Sequence, residues 1–245
     1  MNWLGLVFIF LFAVLLLGLG AASRRVKREL REIPAFTRLA GGIGAAVESG
    51  RRLHLSLGHG GMLGQPGAST LMGLTILQRI ARTASISDVP PIATSGESVQ
   101  AILSQDVFQA VYQAIGAETQ FDPHSGQLTG LSPFSYAAGA LPVVYDQQVS
   151  VNVLTGSFGS EAALIADAAE RTGSMTLAGS ENLTAQAVFY ACTEEPLIGE
   201  ELYAAGAYLQ AGAMHSASLM TQDIFRWLLI VAILAGAAAR LVGVW

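Results

Sequence analysis

The fold turns on residues 149–154 (VSVNVL), followed without a break by 155–161 (TGSFGSE) and 162–171 (AALIADAAER). The first five residues alternate strictly between apolar and polar, the period of a strand, and Leu154 completes it. Residues 161–171 place apolar side chains at helical spacing. The segment between them is rich in glycine and serine, the chemistry of a tight turn. Strand, turn and helix in that order form half of a parallel β–α–β unit.

The same alternation extends outward in both directions. Residues 53–58 (LHLSLG), 90–95 (PPIATS), 127–132 and 174–178 (SMTLA) read as further strands. Helical patterns fall between and after them at 68–86, 97–115, 134–145 and 183–192, the third interrupted by Pro142. Strands alternating with helices predict a mostly parallel, Rossmann-like α/β sheet covered by helices on both faces, within residues 53–195.

Two apolar stretches bracket this domain. Residues 3–22 (WLGLVFIFLFAVLLLGLGAA) hold no charge over 20 positions. That is about the length a helix needs to cross a bilayer. A cleaved signal would carry its basic residues before the apolar run. Here Arg24, Arg25, Lys27, Arg28 and Arg31 follow it. The positive-inside rule then puts both termini outside and the domain in the cytoplasm. The second span runs over 224–245, with Arg226 and Trp227 at the inner edge and Trp245 at the outer edge. Arg240 reads as snorkelling to the outer headgroups. Residues 24–52 form a basic juxtamembrane segment, with Gly41, Gly42 and Gly44 as the nearest thing to a hinge. Residues 196–223 read as one long helix entering the second span, with a bend at Gly206 or Gly212.

Charge narrows the partners. Hydrophobic residues make up 52% of the chain and charged residues 13%. Residues 53–223 hold only Arg79, Arg82 and Arg171 against 15 acids. A surface this acidic repels phosphate backbones, so nucleic acid is excluded as a partner. The single cysteine, Cys192, makes no internal disulfide. His54, His124 and His215 show no metal-ligand spacing with one another or with Cys192. The sequence names no cofactor.

Three strand ends carry the candidate site. Gly156, Ser157, Gly159 and Ser160 follow the strand at 149–154 and open a helix, where bare N–H groups hold an anion. Gly58, His59 and Gly60 follow the strand at 53–58; the glycines allow close approach, and His59 can act as acid or base. Ser95 ends a third strand. If the three ends are neighbours, they line one crevice. No carboxylate or nucleophile stands at a spacing that would complete a triad with His59, and residues 155–161 match neither a Gly-x-Gly-x-x-Gly nor a P-loop pattern.

Residues 51–58, 154–166, 194–209 (EEPLIGEELYAAGAYL) and 223–228 (DIFRWL) together resemble an uncharacterised family of bacterial membrane proteins, a domain of unknown function. The resemblance implies an α/β domain between two terminal membrane helices, in a bacterial inner membrane. It implies no activity. The reading that follows is a membrane-anchored, self-associating assembly or ligand-sensing module whose crevice takes a small anionic ligand. Self-association is expected through the small residues Ala204, Ala207, Ala211 and Ser218, which permit close helix approach. The alternative is a membrane-tethered enzyme acting on a small polar or phosphorylated molecule. Convergence of His59, Ser157 and a carboxylate would favour the alternative.

Overall fold

The computed structural model describes residues 3–23, 30–62, 66–85 and 87–241. Arg24, Arg25, Lys27, Arg28 and Trp245, on which part of the topology reading rests, lie outside these residues. The chain divides into two compact units: residues 31–205, and the segments 1–30 and 206–245 taken together.

In chain order the elements are α1 (Trp3–Ser23), α2 (Pro34–Glu48), β1 (Arg52–Gly58), α3 (Pro66–Ala84), β2 (Ile92–Ser95), α4 (Ser98–Ala114), β3 (Gly126–Leu128) and α5 (Pro133–Asp146). They continue as β4 (Val149–Ser157), α6 (Ala162–Arg171), β5 (Met175–Gly179), α7 (Leu183–Cys192), β6 (Glu195–Leu197), α8 (Glu201–Tyr208) and α9 (Ala213–Leu241).

The six strands form one sheet in the order β3-β2-β1-β4-β5-β6, and every neighbouring pair is parallel. This is the doubly wound order, in which the chain leaves β1 and β4 in opposite directions across the sheet. Helices α2, α3 and α4 cover one face, and α5, α6 and α7 the other. Both faces of β1 and β4 are therefore buried, as parallel sheets require. The alternation in 149–154 is accordingly not the mark of a half-exposed strand. Its polar position Asn152 is fully buried and meets His54 of β1, with Asn152 Oδ1 2.7 Å from His54 Nδ1. His54 Nε2 lies 2.8 Å from Thr94 Oγ1 on β2. A buried polar rung thus crosses three strands.

Four segments differ from the sequence reading. Residues 34–48 form α2, which packs on the sheet. Gly42 enables this approach: a Cβ there would meet Met175 Sδ at 2.9 Å and Val151 Cγ2 at 3.1 Å. The glycines expected to be a hinge are thus helical. Pro142 lies inside an unbroken α5. Residues 195–197 form the edge strand β6, and Pro196 is tolerated there because an edge strand need not donate on both sides. Residues 196–223 are therefore not one helix: β6 is followed by α8, a break at residues 209–212, and α9.

The other unit is an antiparallel pairing of α1 and α9. Phe225 packs against Phe8 and Phe12, with ring centroids 4.6 and 5.7 Å apart. Gly20 faces Met214 and Ala217. Both helices are long and apolar enough to cross a membrane.

Candidate functional site

The carboxyl ends of β1 and β4 meet at the centre of the sheet, where the strand order reverses. In open α/β sheets this is where ligands bind. Two glycines lock the strand ends together. Gly58 has φ +78°, and a Cβ on it would strike the Ser157 carbonyl oxygen. Gly156 has φ +154°, and its Cβ would strike the Leu57 carbonyl oxygen. Beyond them, the His59 and Gly60 N–H groups both donate to the Ser157 carbonyl, at 3.0 and 3.4 Å. Gly96, just past β2, donates to the Gly58 carbonyl at 2.8 Å.

These bonds bring the predicted residues together. Gly58, His59 and Gly60 leave β1; Ser157, Gly159 and Ser160 leave β4; Ser95 ends β2 beside them. Ser95 is buried, and its hydroxyl donates to the Gln127 carbonyl at 3.1 Å, which ties β2 to β3. Ser160 is exposed on the rim. The Gly-rich turn after β1 is held from α4: the Met62 N–H donates to Glu97 Oε2 at 3.1 Å, and the Gln100 amide donates to the Gly60 carbonyl.

Sequence reasoning missed the carboxylate that completes this site. Glu161 sits at the N-cap of α6 and folds back over its own turn. Its Oε1 accepts the Gly159 N–H at 2.7 Å and lies 2.8 Å from His59 Nδ1. The second separation is that of an ion pair, although the shielded ring nitrogen is not aligned on the oxygen for a hydrogen bond. The Glu161 side chain is 3% exposed and that of His59 24%. One end of the imidazole therefore rests on a buried carboxylate while part of the ring stays open to solvent. No spacing rule could have found this pair, because only the β1–β4 pairing brings the two turns together.

Tyr136 of α5 lies beneath. Its hydroxyl contacts Ser56 Oγ and accepts the Gly58 N–H at 3.2 Å. Burial pushes Tyr136 up to about 12, against the hydrogen bonds from Ser56, Thr94 and Gly58. It is therefore a neutral phenol. Burial likewise pushes His54 down to about 4, opposed by its Asn152 contact, so the rung below the site is uncharged.

The electrostatics are distinctive. None of the six segments that leave the carboxyl ends of the strands contains a lysine or arginine. Glu97, Glu161 and Glu181 all stand there. Glu161 takes the Gly159 N–H that an incoming anion would otherwise use. Among the described residues, no group of three His, Cys, Asp or Glu side chains could hold a metal ion. A cavity of about 430 Å³ opens beside the segment that leads into β2, lined by Ser85, Ser87, Asp88, Pro90, Tyr112 and Gln120. It contains none of the predicted site residues.

Comparison with known proteins places the whole chain, residues 1–245, in one family, described as a domain of unknown function (DUF6754). The chain belongs to that family. Neither a curated protein nor a solved structure matches it.

Proposed function

We propose that this member of the DUF6754 family is a membrane-anchored ligand-sensing module, and that its α/β domain binds a small polar molecule where β1 and β4 end. The observation that carries the reading is the His59–Glu161 pair, 2.8 Å apart at the point where the strand order reverses. Buried carboxylates held against a histidine at such a position are a costly arrangement for a surface that contacts nothing.

The surroundings favour a solute that brings hydrogen-bond donors. A phosphate or carboxylate would meet no lysine or arginine in the six turns and would compete with Glu161 for the Gly159 N–H. Hydroxyl or amine groups complement Glu97 and Glu161 directly. The small anion of the sequence reading is the second arm of the test. Thermal unfolding of the full chain in gentle detergent, against libraries of polyols, amines, nucleotides and carboxylates, separates the two. Stabilisation by donors, lost in His59→Ala, supports this reading. Stabilisation by anions alone supports the sequence reading instead. No shift with any class removes the site.

A second reading rests on the convergence of His59, the Glu161 carboxylate and the Ser157 backbone, which favours chemistry. Glu161 backs the imidazole at 2.8 Å, and a histidine so placed can act as general acid or base. The membrane-tethered enzyme is thus the alternative, with His59 as the proton carrier and Glu161 as its positioning residue.

Two apolar helices support a membrane location, and the basic run after α1 supports a cytoplasmic domain with both termini outside. An impermeant thiol reagent on intact cells should label a cysteine at position 2 and spare one at position 122. The reverse pattern would invert the topology.

A further inference from the structure

The cavity of about 430 Å³ lies at the amino ends of the strands, the opposite end of the sheet from the β1–β4 crevice. Ser85, Ser87, Asp88 and Pro90 come from the segment between α3 and β2. Tyr112 comes from the last turn of α4, and Gln120 from the segment between α4 and β3. The volume falls in the range of small-molecule pockets, about 300–1,000 Å³. Arg52, the first residue of β1, fixes one wall: its Nη1 donates to the Pro90 carbonyl at 3.2 Å.

Packing does not explain Tyr112. The residue is 2% exposed, yet among the described residues nothing hydrogen-bonds its hydroxyl. Its ring rests near Phe121, with centroids 6.5 Å apart. Burial pushes the phenol's pKa up, so it stays neutral and keeps a proton to donate. A buried tyrosine hydroxyl usually finds a partner. Phenylalanine would fill the same space without an unpaired polar atom.

The other lining groups differ in what they offer. The Ser85 hydroxyl donates to the Arg82 carbonyl at 2.9 Å, so its oxygen is left to accept. Ser87 Oγ accepts the Val89 N–H at 3.3 Å, so its proton is left to donate. Asp88 accepts, and the Gln120 amide does both. Among the described residues no lysine or arginine lines the cavity, which disfavours an anion. The one carboxylate, Asp88, is exposed, which gives a cation little to hold it. Donors and acceptors set around the Tyr112 ring and Pro90 match hydroxyl groups on a carbon frame.

We propose that this cavity is a second binding site, for a neutral polyhydroxylated ligand such as a sugar or polyol, which takes the Tyr112 hydroxyl as a hydrogen-bond partner. The site is independent of the β1–β4 crevice, and α4 reaches both. Glu97 and Gln100 at its start hold the turn after β1, and Tyr112 near its end lines the cavity.

Polyols stabilise most proteins simply by exclusion from their surface. Binding is therefore read by equilibrium dialysis of the full chain, in gentle detergent, against radiolabelled glucose, ribose and inositol. The wild type and His59→Ala should retain at least one of the three equally well. Tyr112→Phe and Asp88→Asn should each weaken that binding about tenfold. Tyr112→Phe removes a hydroxyl with no protein partner, so its thermal midpoint without ligand should be unchanged or higher. A lower midpoint would overturn the assignment of the hydroxyl to the ligand. Asp88 is exposed, so Asp88→Asn probes the site without disturbing the core. A wild type that retains none of the three overturns the proposal. Binding that both variants leave unchanged, or that His59→Ala abolishes, overturns it as well, because the probe then sits elsewhere.

Discussion

Glu161 Oε1 lies 2.8 Å from His59 Nδ1 and 2.7 Å from the Gly159 N–H, so one buried carboxylate joins the turn after β1 to the turn after β4. Truncation would leave a shielded N–H without an acceptor, at a cost of about 1–3 kcal/mol. Glu161→Ala should lower the thermal midpoint of the full chain in detergent. Glu161→Gln, which still accepts from Gly159, should recover most of the loss. An alanine variant as stable as the wild type would mean the carboxylate does not clamp the two turns.

His54 gives stability a pH dependence of known sign. Burial holds its folded value near 4, below the ordinary 6.5. Between these two values the unfolded chain binds the extra proton and the folded chain does not. Stability is therefore complete above about 6.5 and falls as the pH drops toward about 4, by up to about 3 kcal/mol. Unfolding midpoints across this range should show that slope, and His54→Gln should flatten it. An equal slope in the variant would assign the effect to other groups.

The glycines divide by what surrounds them. Gly58→Ala and Gly156→Ala combine a strained backbone with a clash against the opposite strand, and each should cost at least about 2 kcal/mol. Gly41 lies in α2 with open space around its Cα, so Gly41→Ala should stabilise by about 0.5–1 kcal/mol. Gly42→Ala, one residue on, must displace Met175 or Val151 and should not gain. Thermal midpoints of the four variants check the order.

Periodicity made most of this fold legible. Residues 149–154 and 183–192 read correctly because strand alternation and helical spacing were undisturbed by glycine or proline. α2 was missed because three of its residues are glycines, which lower helix propensity while allowing it to lie close on β4 and β5. β6 was missed because Pro196 argues for a helix start as strongly as for an edge strand. At the site, the turn glycines and His59 stood out from composition alone. Glu161 did not, because a glutamate in the first turn of a helix already has a local explanation in the helix dipole. Tyr136 gave no signal at all: its role depends on α5 crossing the face opposite α3, and strand order is not written in any local pattern.

The central claim is that a small molecule binds where β1 and β4 end. Native mass spectrometry of the full chain, released from gentle detergent, reads this without choosing a ligand in advance. The wild type should retain a small polar solute from the cell, or take up the one that shifts its melting. The His59→Ala, Glu161→Gln double variant should carry none while remaining folded. A wild type that stays free of small molecules across all classes, or a double variant that keeps the same one, would contradict it.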